Sequence, residues 1–181
     1  MFERNALTQL REWAARPNHK PLVLRGARQV GKTTLVEQFA QEYGVYLKLN
    51  LEKSTDRQLF ESEMPMEELI STIYLLNNQE RKSVPTLLFI DEIQNSPQAV
   101  AMLRYFYEEV SGIDVVAAGS LLENLIDRHI SFPVGRVEYM AVRPCSFNEF
   151  LGAIDEKGLK AAQRNVALPW RLCTSDAADD T

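Results

Sequence analysis

The chain has 181 residues, 45% of them apolar, which is enough for one domain with a packed core and too few for two. Its net charge of −5 supplies no global basic field, so the charge balance does not support nucleic acid as a partner. No apolar stretch approaches the roughly 20 residues that a membrane span needs. No signal-peptide pattern opens the sequence, and Cys145 and Cys173 lie far apart without metal-binding spacing, all of which points to a reduced, cytoplasmic protein.

Along the chain, Phe2, Leu7, Leu10, Trp13 and Ala14 fall on one helical face, predicting a first helix that Pro17 and Asn18 end. Arg11, Arg16, Lys20, Arg25 and Arg28 form a modest basic concentration, read as solvated rims plus one loop arginine. His19 and His129 are read as isolated surface residues. Residues 21–24, Pro-Leu-Val-Leu, form a short apolar run of the kind expected in a buried parallel strand.

Residues 26–33 follow as Gly-Ala-Arg-Gln-Val-Gly-Lys-Thr, a complete G-x-x-x-x-G-K-T phosphate-binding loop, or Walker A motif. Gly26 and Gly31 are expected to take backbone angles closed to other residues. The loop through Ala27, Arg28, Gln29 and Val30 then curls with its N–H groups toward a polyphosphate. Lys32 supplies a point charge to the β- and γ-phosphates, the Thr33 hydroxyl is a Mg²⁺ ligand, and Thr34 completes the binding positions. Leu35, Val36, Phe39, Ala40 and Tyr43 recur at helical spacing, so phosphate would sit at a helix N-terminus.

Residues 46–51 alternate enough for a second strand, with Asn50 and Glu52 at its exit. Met66, Leu69, Ile70, Ile73 and Leu76 mark a helix, and a polar turn covers residues 77–82. The next apolar run leads through Phe89 and Ile90 into Asp91 and Glu92, as a buried strand would at its C-terminal end (a Walker B pattern). Asp91 is the candidate to hold Mg²⁺, directly or through water, and Glu92 to orient and deprotonate an attacking water. Ser96 and Pro97 read as the cap and first turn of a helix whose buried stripe is Val100, Leu103, Tyr107 and Val110.

The carboxylate pair separates nucleotide-binding classes. A GTPase would carry Asn-Lys-x-Asp and Asp-x-x-Gly, and neither occurs. A small-molecule kinase does not need a water-activating glutamate. ATP hydrolysis is therefore the reading the residues favour. A third strand, residues 114–119, ends at Ser120, to which two roles are open. It is placed to sense the γ-phosphate, and with Glu123 it forms a capping box for a helix carrying Leu121, Leu122, Leu125 and Ile126. Gly135 and Arg136 precede a strand over residues 137–142. Ser146 and Glu149 form a second capping box, with Phe147, Phe150, Leu151 and Ile154 on the buried face that follows.

With the Walker A loop, Phe-Ile-Asp91-Glu92-Ile-Gln94, Ala-Gly119-Ser120, Gly135-Arg136 and Arg-Pro144-Cys-Ser-Phe147-Asn-Glu149-Phe150 in that order, the chain resembles a family. It is similar, over about residues 15–155, to the AAA-type ATPases of bacteria and archaea that carry a C-terminal domain of unknown function. The resemblance implies a three-layer α/β fold of the RecA/AAA kind, with a parallel five-stranded sheet of order 5-1-4-3-2. It also implies Mg²⁺-dependent ATP hydrolysis coupled to a macromolecular partner, assembly with further copies, and the roles given above for Lys32, Thr33, Asp91, Glu92 and Ser120. It makes Arg136 a candidate arginine finger or sensor, against the plainer reading of a surface arginine. An ATPase domain over residues 1–155 is expected, followed by residues 156–181, where the helical pattern decays into an acidic end that reads as a disordered or truncated tail. Two alternatives stand beside hydrolysis: an ATP-binding remnant without efficient turnover, and a P-loop small-molecule kinase.

Overall fold

The computed structural model describes residues 4–62, 64–120, 133, 135–146 and 149. Contacts gather Arg4–Pro144 into one compact unit and residues 1–3 with 145–181 into a second. In the first unit the elements run α1 (Asn5–Ala14), β1 (Leu22–Arg25), α2 (Lys32–Phe39), β2 (Val45–Asn50), α3 (Ser54–Glu61), α4 (Met66–Leu76), β3 (Thr86–Asp91), α5 (Pro97–Glu109), β4 (Ile113–Gly119) and β5 (Glu138–Ala141). All strand pairings are parallel and the order is β2-β3-β4-β1-β5, the 5-1-4-3-2 arrangement that the family resemblance implies.

Burial follows position in the sheet. The inner strand β3 is buried at every residue, and the last five residues of β4 are buried as well, because helices cover both faces. On β2, at one edge, buried and half-buried residues alternate. Val45, Leu47 and Leu49 of β2 join Leu88, Ile90, Val115 and Ala117 in a core roofed by α3, α4 and α5. The opposite residues Leu87, Phe89, Val116 and Ala118 pack with Leu22 and Leu24 of β1 beneath α1 and α2. This is a three-layer sandwich.

Each helix predicted within the described residues is present, and α3 is an addition to the expected set. Its buried residues are the adjacent pair Leu59 and Phe60, too short a stripe to show as periodicity. Phe106 likewise joins the buried face of α5, where Val100 and Leu103 were expected, while Tyr107 and Val110 are half-buried. His19 departs from its reading as an isolated surface residue. Its side chain is only 15% exposed, lies edge-on to Trp13, and bonds the Arg16 carbonyl at 2.9 Å and the Asp114 carboxylate at 3.0 Å. Tyr43 donates to the other Asp114 oxygen at 2.6 Å, so the network ties α1, the chain after α2 and β4 together. His129, Cys173, the Ser120–Glu123 box, the apolar face after Ser146 and the expected tail lie outside the described residues. The capping box of Ser146 and Glu149 is present in the second unit, with Ser146 N donating to Glu149 Oε2 at 2.7 Å and Glu149 N to Ser146 Oγ at 3.2 Å. No described helix is long and apolar enough to cross a membrane.

The start of α5 bears on the site because it anchors the segment after β3. Ser96 is buried, its hydroxyl accepts the Ala99 N–H at 3.1 Å, and Pro97 fills the first helical turn. Ser96→Ala is expected to cost about 1 kcal/mol, or roughly 2–4 °C in Tm for a domain of this size. Thermal melts check this, and an unchanged Tm would show that the cap contributes nothing.

Candidate active site

Parallel strands place all their C-terminal ends along one edge, and the sequence motifs converge there. Arg25, the last residue of β1, pairs with Gly119 at the end of β4, and Asn50 of β2 pairs with Asp91 of β3. The Walker A loop therefore leaves the sheet beside Ser120, with Asp91 and Glu92 on the far side of β4. This is the crevice outside the carboxyl ends where open α/β sheets take ligands.

The two loop glycines are needed for different reasons. Gly31 has φ +87° at the N-cap of α2, a conformation other residues adopt at a cost. Gly26 is not in that region, which corrects the expectation for the first glycine. A Cβ at Gly26 would stand 2.2 Å from the Val142 carbonyl oxygen, while Val142 N itself bonds Arg25 O at 2.7 Å. Close approach of the chain leaving β5 thus demands glycine there. Gln29 takes φ +64° and supplies the remaining curl.

Lys32 is 7% exposed and its ammonium donates to the Gly26 and Ala27 carbonyls, both at 2.8 Å. Burial lowers its pKa, and the charges of Glu92 and Asp91 oppose that shift. Thr33 Oγ1 donates to Asp91 Oδ2 at 2.9 Å, and Asp91 Oδ1 accepts the Glu92 N–H at 3.0 Å. Burial raises the Asp91 pKa despite these two hydrogen bonds. Glu92 has φ +53°, and its carboxylate accepts from the Gln94 side-chain amide. Ser120 follows directly on β4, the strand between β1 and β3, with its hydroxyl oxygen buried and without a partner among the described residues. Val30 is buried and Thr34 exposed, while Arg28 lies 3.9 Å from Glu52, both open to solvent, a pairing worth little.

The hydroxyl of Thr33 and the carboxylate of Asp91 are hard oxygen donors, the kind that Mg²⁺ takes alongside phosphate oxygens and water. They suit that ion. Arg136 is not brought to this edge. It precedes β5, whose first residue pairs with Leu22 at the start of β1, and its Nε meets Glu108 at 2.7 Å. A cleft of about 530 Å³ at that opposite edge, between His19, Phe106, Glu108 and Asp114, holds none of the phosphate-loop residues.

Two residues enter the site that spacing alone did not reveal. Arg4 donates to the Val30 carbonyl at 2.9 Å and to the Arg143 carbonyl, bracing the loop from residues 26 and 139 positions away in sequence. Gln94 stands within the Asp-Glu motif but has no reaction role written in its type. No pattern in the sequence could have found the first; proximity to Glu92 marks the second.

A family model described as an AAA domain matches residues 18–151, well over half of the chain. No match was found among curated proteins. Among solved structures the chain is similar to the Walker-type ATPase PABY2304 of Pyrococcus abyssi, at 16% identity and a TM-score of 0.55 over 92% of this chain and 59% of that one. It is also similar to C. elegans PCH-2, at 18% identity and a TM-score of 0.45 over 93% of this chain and 48% of that one. The chain thus spans less than two thirds of the length of either structure, and the likeness to the first concerns the fold. On the match over residues 18–151, this chain belongs to the AAA domain family.

Proposed function

We propose that this domain binds Mg²⁺-ATP and hydrolyses it to ADP and phosphate. The observation that carries the reading is the Thr33–Asp91 hydrogen bond at 2.9 Å, which joins the two halves of a hydrolytic site within reach of Lys32 and Glu92. The loop N–H groups and the N-terminus of α2 cradle the phosphates. Lys32 exchanges the Gly26 and Ala27 carbonyls for β- and γ-phosphate oxygens. Because the Thr33 hydroxyl directs its hydrogen bond to Asp91, its lone pairs are left to hold Mg²⁺, and the Asp91 carboxylate would hold the ion beside it, directly or through water. Mg²⁺ supplies neutralisation of the charge on the phosphate oxygens. Glu92 accepts a proton from the attacking water. Ser120 donates to the γ-phosphate, which gives its buried hydroxyl a partner.

A kinase would use the same loop without a base beside it, and Glu92 at the end of β3 favours water as the acceptor. Arg136 faces away from its own site, so its proposed role is in trans, with a second copy bringing it to a neighbour's γ-phosphate. ATP as substrate places the domain in the cytoplasm. Coupling to a macromolecule remains with the family resemblance.

Mg²⁺-ATP at 100 times its Kd is expected to add about 2.7 kcal/mol of stability, roughly 5–11 °C in Tm. Lys32→Ala should erase that shift and leave the apo melt in place. An equal shift in the variant would remove the phosphate-loop assignment.

Glu92→Gln is expected to keep nucleotide affinity and lower kcat by about 10²–10⁴-fold, since an amide cannot take the proton. Phosphate release and labelled-nucleotide binding measured together check it. Native turnover in Glu92→Gln would move the base elsewhere.

For the dilute chain, turnover on the order of 10⁻⁴ to 10⁻² s⁻¹ is expected, the range of P-loop enzymes without an arginine acting efficiently on the transferred phosphate. The rate should rise with protein concentration, and the rise should vanish in Arg136→Ala. A rise that survives the substitution excludes Arg136 as the finger.

A further inference from the structure

Gln94 sits two residues beyond Glu92, in the single 3₁₀ turn of Ile93–Asn95 that separates β3 from α5. Its backbone is held from both sides. Asn95 N bonds Glu92 O at 3.0 Å and Ser96 N bonds Ile93 O at 3.1 Å, while the fully buried Ile93 pins the turn to the core. The side chain folds back so that Nε2 donates to Glu92 Oε2. The amide can point only this way, since the reverse would set its carbonyl against a carboxylate. Its Oε1 is consequently buried with no hydrogen-bond partner among the described residues. An acceptor buried and unmet costs on the order of 1–3 kcal/mol, so its presence beside a catalytic carboxylate calls for a donor supplied during function.

Resting on the hydrolase reading above, we propose that Gln94 is a positioning residue for the attacking water, holding Glu92 in place with its amide N–H while its Oε1 accepts a hydrogen bond from that water. A water bridging the Glu92 carboxylate and Gln94 Oε1 has both protons directed into the protein. Both of its lone pairs are left free, and one of them faces the γ-phosphorus. As the new P–O bond forms, the bond from phosphorus to the β–γ bridging oxygen breaks and its electron pair leaves on ADP. One water proton passes to Glu92, and the other, held by Gln94, stays on the oxygen that becomes part of phosphate. Glu92 also holds a left-handed backbone without being glycine, the kind of strain that collects at functional sites.

The test uses Gln94→Met, which keeps length and volume but removes both hydrogen-bonding groups, with Gln94→Ala as a second variant. Expected is a fall in kcat of about 10–100-fold, with the equilibrium Kd for a fluorescent ATP analogue unchanged and the apo Tm of Gln94→Met no lower than that of wild type. In a Glu92→Gln background, Gln94→Met should cause no further loss, because the two residues act on one water. Equal kcat in wild type and both variants overturns the proposal alone, as does a fully additive loss in the double variant. A change in Kd as large as that in kcat also overturns it, since it marks general damage to the site. A wild-type chain that binds Mg²⁺-ATP but releases no phosphate takes down the hydrolase reading, and this proposal with it.

Discussion

The hydrogen bond from Thr33 to Asp91 is the constraint on which the site depends, because it spans strands that are not neighbours. β1 and β3 flank β4, so the helix that begins at Lys32 must lean across the end of β4 to reach the carboxylate. The end of β4 is built for that approach: Ala118, on the face that α2 covers, carries only a methyl group, and Gly119 after it has no side chain. Larger residues there would raise α2 off the sheet and part the two motifs. Since Asp91 is 7% exposed, losing the Thr33 hydroxyl would leave a buried carboxylate oxygen short of a donor, a costlier change than losing a surface contact.

Charge at this edge is balanced within a few side chains. Lys32 faces Glu92 and Asp91, while Lys48, on the neighbouring edge strand, draws Asp91 toward its ionised form and is itself paired with Glu37 of α2 at 2.7 Å. Burial favours neutral Lys32 and neutral Asp91 alike, and in the proposed reaction a polyphosphate with its cation would reverse both, giving the ammonium an anionic partner and the carboxylate a cationic one. Burial that is unfavourable without those partners would become the low-dielectric setting that strengthens the contacts once they are made.

How much of this was legible follows from the range of each interaction. The Walker A loop, the strand ending in Asp91 and Glu92, and the Ser96 cap are local patterns, each set by residues within a few positions of one another, and they stand where the sequence puts them. The strand order came from family likeness, not from any pattern within a strand. What could not be read depends on distant partners: His19 with Asp114, 95 residues apart, and Arg4 with the Arg143 carbonyl, 139 apart. Gly26 belongs with them. Its type was recognisable from the motif, but the reason for it is the Val142 carbonyl, which only the folded sheet brings near. α3 escaped for an opposite reason, since a helix with two adjacent buried residues shows no period at all.

Several departures from local preference lie at the same edge. Gln29 and Glu92 hold left-handed backbones without being glycine, and the oxygens of Gln94 and Ser120 are buried without partners among the described residues, as is that of Tyr46 near the start of β2. Tyr46 lies close enough to Asp91 and Glu37 that their charges add to burial in raising its pKa. Each feature costs on the order of 1–3 kcal/mol. Selection for stability alone would remove them one at a time, by glycine at the strained positions and apolar groups at the unpaired ones. They are tolerable because the two cores on either side of the sheet hold the strand ends rigidly, so the loops above cannot relax. A site assembled this way gives its polar groups fixed directions before any ligand arrives. It then spends little on reorganisation when the ligand does.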